Sequence, residues 1–152
     1  LIVLDTTVLV YAVGAEHRFR EPCRALVRAV QDGEITATTT VAVIQEFAHV
    51  RARRRGRANA VELANDYVEL LSPLLVVEET DLREGLRLFA SNERLGSFGS
   101  VLAAATRAAG ADTLVSADEA FSSVATITHV IPDGDGIRRL LGSEGNPPTK
   151  PA

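Results

Sequence analysis

The sequence predicts an α/β fold, a three-layer sandwich with a central, mostly parallel sheet of four to five short strands and helices on both faces. Two observations carry this. Short apolar runs alternate with stretches of helical spacing, the pattern of strand–helix–strand units. The first run, Leu1-Ile2-Val3-Leu4, is continuously hydrophobic and ends in Asp5, as a strand covered on both faces does.

Each element follows from local pattern. Residues 1–4 form the first strand, and 8–13 continue with helical spacing after Thr6 and Thr7, either of which can cap the helix. Cys23, Leu26, Val27 and Val30 mark a helix over 20–31. Ile35–Thr38 is the second strand candidate. Over 40–54, Val41, Ile44 and Ala48 fall on one helical side together with Phe47. Val61, Leu63, Ala64, Val68 and Leu71 give a helix over 58–71 that Pro73 ends. Leu74–Val77 is the third strand candidate. Leu82, Leu86 and Phe89 mark a helix over 80–94, and an Ala-rich helix over 98–109 closes at Gly110. Thr113–Val115 and, more weakly patterned, His129–Ile131 complete the strands. Residues 1–141 read as one domain, and the Gly- and Pro-rich 142–152 as an unstructured or artificial tail.

Composition narrows the class. No apolar stretch approaches the roughly 20 residues that span a bilayer. The first run lacks the basic leader and cleavage site of a signal peptide, and an initiator Met is expected upstream of Leu1. The single cysteine, Cys23, sits on an apolar helical face and suits a reducing interior, so the expected compartment is the cytoplasm. A net charge of -4 disfavours a protein that coats nucleic acid through bulk charge. Charge is nevertheless uneven: Arg51, Arg53, Arg54, Arg55 and Arg57 follow one another with no acid between them. That run reads equally as a solvated helix end, an RNA-backbone contact or a protein contact.

Three acids stand at element junctions. Asp5 ends the first strand, and Asp118 follows Thr113–Val115 through Ser116 and Ala117. Glu46 lies mid-helix between residues suited to burial. In a parallel sheet Asp5 and Asp118 leave the same edge, where such folds bind ligands, and a covering helix can bring Glu46 there. Oxygen-only clusters favour Mg²⁺ or Mn²⁺ over zinc. A hydrated cation of that kind orients water, lowers its pKa and stabilises charge on a phosphodiester. Each acid also has a purely structural reading: Asp5 as a cap, Asp118 with Glu119 as the start of a short helix, Glu46 as the partner of Arg51 or Arg53.

Other motifs carry less. Glu46 and His49 have E-x-x-H spacing, but a di-iron bundle needs a second copy, and none occurs. His49 is expected to pack or to face a partner, and His17 and His129 have no evident one. No Gly-rich phosphate loop is present. A phospho-receiver domain fails because Asp5 is followed by Thr, the third strand candidate ends in Glu78-Glu79, and Lys150 is the only lysine.

Taken in order, LIVLDTTVLVYAV, TTTVAVIQEFAHV and GADTLVSADEAF resemble the PIN domain, and more closely the VapC toxins of bacterial toxin–antitoxin pairs. The resemblance covers residues 1 to about 141. It implies a Mg²⁺- or Mn²⁺-dependent endoribonuclease, usually a homodimer, held inactive by a cognate antitoxin and leaving a 5′-phosphate and a 3′-hydroxyl. It implies Asp5, Glu46 and Asp118 as the acids of the metal pocket, with Thr6 and Ser116 as flanking hydroxyls. tRNA, rRNA and mRNA are all compatible substrates. A fourth family acid is missing: its position, at the start of the helix SFGSVLAAA, holds Gly99. Glycine in a first helical turn costs up to about 1 kcal/mol relative to Ala, whereas Asp is favoured there. Gly99 therefore reads as a lost metal-binding Asp, through natural decay or through a substitution made so that a toxic chain could be produced. The chain is expected to be poorly active; a non-catalytic PIN module that binds antitoxin or RNA is the alternative.

Overall fold

The computed structural model describes residues 1–111 and 113–144. Its sheet has four strands, β1 (Ile2–Leu4), β2 (Ala37–Thr38), β3 (Thr113–Val115) and β4 (Thr128–Val130), in the order β2-β1-β3-β4. All three pairings are parallel. Among the described residues it is accompanied by seven helices: α1 (Thr6–Val13), α2 (Arg20–Gln31), α3 (Val41–Arg55), α4 (Arg57–Leu71), α5 (Glu79–Ser91), α6 (Ser97–Ala108) and α7 (Gly134–Glu144). A single 3-10 turn, Glu119–Ser123, follows β3. No described helix is long and apolar enough to cross a membrane.

The chain leaves β1 for β2 on one side and returns to β3 on the other, so strand order reverses around β1. Crevices form at such reversals, outside the carboxyl ends of the strands. The register sets Leu4 opposite Val115, so Asp5 and Ser116 leave the sheet side by side. Asp5 N–H donates to the Val115 carbonyl at 3.0 Å and extends the ladder by one rung.

Three consecutive threonines join β2 to α3, each with its own task. Thr38 Oγ1 donates to the Pro73 carbonyl at 2.9 Å, Thr39 Oγ1 to the Leu4 carbonyl at 2.6 Å, and Thr40 Oγ1 accepts from Val43 N–H as the cap of α3. The end of β1 is thereby tied to the start of α3, which carries Glu46. Phe47 buries an edge-on contact with Tyr67 of α4 (5.0 Å between ring centres), and Tyr67 Oη donates to the Leu9 carbonyl at 3.0 Å. Gly56, at φ +87°, makes the turn between α3 and α4, a backbone that L side chains rarely adopt.

Several expectations are corrected. Leu74–Val77 is not a strand: Leu75 makes one parallel bridge with Thr40, and Val76 is 74% exposed. The reciprocal capping box of Glu78 and Asp81 starts α5 immediately afterwards and leaves the run no length for pairing. α1 begins at Thr6 with Asp5 in the cap position, so neither Thr6 nor Thr7 caps it. The buried face of α3 is Val43, Ile44 and Phe47, while Val41, in its first turn, faces solvent. β2 is shorter than expected and β4 begins one residue earlier. α7 was not foreseen and runs to Glu144, into the expected tail; positions 145–152 lie outside the described residues. Cys23 is buried in the core, and burial pushes its thiol up to about 12.

Candidate active site

At the carboxyl edge of the sheet a cavity of about 440 Å³ is lined by Asp5, Glu46 and Asp118, with Gly99 in its wall. Thr6, Thr7, Arg54, Leu95 and Phe121 also line it. Four elements far apart in the chain deliver the acids and the glycine: the end of β1, the middle of α3, the loop after β3 and the first turn of α6.

Asp5 is the most enclosed of the acids, at 6% exposure. Its Oδ2 accepts from Ser116 Oγ at 2.7 Å and from Thr7 Oγ1 at 3.0 Å. Burial raises its pKa above the ordinary aspartate value, and the Ser116 and Thr7 hydroxyls offset that only in part. Among the described residues it has no salt-bridge partner; the arginine on the cavity wall, Arg54, forms none with it. A buried carboxylate answered only by hydroxyls and amides is a group with charge left over for a cation.

Glu46 is solvent-exposed rather than packed, and its Oε2 accepts from Thr6 Oγ1 at 2.7 Å. It pairs with neither Arg51 nor Arg53. Arg51 is used elsewhere: Nε donates to Asn59 Oδ1 at 2.7 Å and Nη1 to the Val13 carbonyl at 3.0 Å, clamping α1, α3 and α4 together. Asp118 Oδ1 accepts from Ala120 N–H at 2.9 Å, so the capping role open in the sequence is realised by one of its oxygens. His49 is exposed and is not a packing residue within the chain.

The acids share the cavity without forming a close cluster. Among the described residues no three His, Cys, Asp or Glu side chains come near enough to make a ready-made metal site. Each carboxylate is drawn to its own local donor instead: Asp5 to Ser116 and Thr7, Glu46 to Thr6, Asp118 to Ala120. The donor set itself, three carboxylates flanked by hydroxyls, suits a hard, hydrated cation.

Sequence reasoning missed two residues that build this edge. Thr7 Oγ1, besides donating to Asp5, accepts from Ala117 N–H at 3.0 Å and so pins the loop after β3 to the first turn of α1. His129, on β4, places Nε2 2.8 Å from the Ser116 carbonyl and Nδ1 2.9 Å from Ser122 Oγ. It holds the backbone of the residue whose hydroxyl reaches Asp5. Ser116 Oγ in turn accepts from Asp118 N–H at 3.0 Å, which links two of the acids through one hydroxyl.

The PIN-domain family matches residues 2–127. The chain is 51% identical over 146 residues to Ribonuclease VapC7 of Mycobacterium tuberculosis (strain ATCC 25618 / H37Rv), an alignment spanning 93% of this chain and 99% of the relative. This chain belongs to the PIN-domain family. It is a VapC-like PIN-domain protein, and its acid-lined cavity lies at the strand-end edge of a parallel α/β sheet.

In this PIN domain the wall at position 99 is closed by apolar side chains. A Cβ added to Gly99 would lie 2.8 Å from Leu95 Cδ1 and 3.1 Å from Phe121 Cζ. Gly99 is the third residue of α6, whose first turn carries no acid and whose cap position, Gly96, offers no side-chain hydrogen bond.

Proposed function

We propose that this chain is the toxin of a type II toxin–antitoxin pair, built as a Mg²⁺- or Mn²⁺-dependent endoribonuclease and impaired by Gly99. The observation that carries the reading is the gathering of Asp5, Glu46 and Asp118, from three distant parts of a VapC-like PIN fold, on one cavity at the sheet edge. Asp5 and Asp118 would hold the cation and Glu46 would complete the pocket, with Ser116 and Thr7 orienting the Asp5 carboxylate and Thr6 that of Glu46. Bound there, Mg²⁺ or Mn²⁺ supplies a lowered pKa for water and positive charge against the phosphodiester. Water would add at phosphorus as the bond from phosphorus to the 3′ oxygen breaks, with one water proton ending on that oxygen, giving a 5′-phosphate and a 3′-hydroxyl.

The other members of the system follow from the same reading: RNA as substrate, a cognate antitoxin, a homodimer, and the cytoplasm as compartment. Leu82, Leu86 and Phe89 support a protein partner, since they leave an apolar stripe on the outer side of α5, each more than two-fifths exposed. The alternative, a non-catalytic module that binds antitoxin or RNA, draws support from Leu95 and Phe121 closing over position 99.

A crystal soaked in Mn²⁺ tests the assignment directly. Anomalous density is expected among Asp5, Glu46 and Asp118; a filled soak with no peak in that cavity sinks the metal reading. Ser116→Ala removes the shortest hydrogen bond to Asp5 together with the acceptor for Asp118 N–H. It is expected to weaken Mn²⁺ binding about ten- to a hundredfold in a calorimetric titration, the usual effect of losing a group that orients a ligand. An unchanged affinity would remove Ser116 from the site.

A further inference from the structure

Beside the acidic cavity, where α1 ends, α2 begins and α3 closes, lies a second one of about 480 Å³. Arg20, Arg51, Arg54 and Arg55 line it, together with Gly14 and its neighbours, and no acid does. We propose that this cleft binds the backbone phosphates of the RNA strand on one side of the bond to be cleaved. The proposal deepens the nuclease reading and rests on it for the bond to be cleaved.

Three observations point to an anion. None of the four arginines pairs with a carboxylate among the described residues, although every other inter-residue ion pair found there joins an arginine to an acid on its own helix. Arg51 lies close enough to Arg54 and Arg55 for their charges, after burial, to disfavour its own, and no acid lines the cleft beside them. Arg20 Nε is buried and has no hydrogen-bond acceptor, an orphan donor of a kind folded proteins rarely leave. Guanidinium groups in such a cluster match phosphate oxygens two at a time.

Continuity with the acidic cavity chooses nucleic acid over an acidic peptide. Arg54 lines both cavities, so the two are adjacent and a strand seated on the carboxylate pocket lies within reach of the arginine cleft. The two surfaces have complementary work: the acids repel a phosphate unless a cation intervenes, whereas flanking phosphates need a positive wall. No aromatic side chain lines the cleft, so bases have nothing to stack on, and contact is with the backbone irrespective of sequence. The run 51–57 is thereby divided. Arg54 and Arg55 face the strand, Arg51 braces the cleft through Asn59 and Val13, and Arg53 and Arg57 line neither cavity. Arg20, distant in sequence, joins them.

The test is fluorescence anisotropy with a short labelled single-stranded RNA in EDTA, where cleavage cannot occur, over a series of salt concentrations. Arg20→Ala and Arg55→Ala are each expected to lower the slope of log affinity against log salt by about 0.7, one phosphate contact on a single strand, and the pair to weaken binding about tenfold. Arg55→Lys keeps the slope and loses part of the affinity. Unchanged slope and affinity in the double variant, with an unchanged melting temperature, overturn the proposal. Should the double variant unfold, Arg55→Ala alone decides. Polyglutamate serves as the competitor: loss of its binding in the variants with RNA binding intact makes the cleft a protein site, and also overturns the proposal. Failure of the nuclease reading looks different. Absence of cleavage by Gly99→Asp in every metal, with the salt slope still set by Arg20 and Arg55, leaves the cleft standing and removes only the chemistry.

Discussion

Gly99→Asp is expected to raise Mn²⁺-dependent cleavage of RNA at least about tenfold over the parent chain, within the ten- to hundredfold range that a ligand or its orienting neighbour contributes at metal sites. The position faces the cavity that Asp5, Glu46 and Asp118 line, so a carboxylate there adds the fourth negative group to the same space. Helix energetics favour the change. Gly99 stands in the first turn of α6, where no acid meets the helix dipole, and an acid there contributes about 0.3–1 kcal/mol. Packing opposes it, because the new Cβ meets Leu95 Cδ1 at 2.8 Å and Phe121 Cζ at 3.1 Å. Leu95 and Phe121 are both buried, so the Leu95 side chain must rotate within the core and the Phe121 ring must shift by a few tenths of an ångström. These terms nearly cancel, so the melting temperature should move little. Gly99→Ala is the control, since it brings the same Cβ contacts without the charge and should gain no activity. If Asp gives no more cleavage than Ala while RNA and antitoxin still bind, the chain is a binding module and its chemistry is gone.

How much of this was legible in the chain depends on the range of the interaction. The Ile2–Leu4 run and the spacing of Cys23 and Leu26 announce β1 and α2 because burial there follows the local period, with Val30 half-buried beside the core residue Ala29. Asp5 and Asp118 could be placed on one edge because parallel pairing leaves no alternative once both strands are found. α5 was found through Leu82, Leu86 and Phe89, yet that stripe faces outward. The side turned to α6 is Gly85, where an added Cβ would lie 2.6 Å from Val101 Cα, so close approach replaced apolar bulk as the packing signal. Gly134-Asp135-Gly136 hid α7, since glycines at a helix start read as a turn. The roles of Thr7 and His129 at this edge escaped notice for another reason. Their partners lie 110 and 13 residues away, and a hydroxyl or imidazole shows no periodicity that reveals such a contact. Of the groups that bond the acids, Thr6 and Ser116 were named through the family resemblance, whereas the bracing by Thr7 and His129 was not.

Asp5→Asn separates the cost of the site from its use, and is expected to move stability and activity in opposite directions. Burial raises the Asp5 pKa above its ordinary value, so the folded chain prefers that carboxyl protonated. Stability from a group shifted this way is fully present below the unfolded pKa, about 3.9, and is lost as pH rises through the folded value. At neutral pH and without divalent metal, ionised Asp5 thus works against folding. Asparagine keeps an oxygen for the Ser116 and Thr7 hydroxyls but carries no charge, so the variant should melt higher than the parent at pH 7 in EDTA. The gap should close below about pH 4, where the parent carboxyl is protonated in both states. Adding Mn²⁺ should reverse the order: the parent gains about 2.7 kcal/mol at a hundred times the dissociation constant, and Asp5→Asn gains far less. In the Gly99→Asp background the same substitution should lower cleavage at least about a hundredfold, equivalent to about 2.7 kcal/mol of transition-state stabilisation. A variant that melts below the parent at pH 7 in EDTA would mean that the fold already satisfies the Asp5 charge. The argument that this carboxylate is held in reserve for a cation would then lose its physical basis.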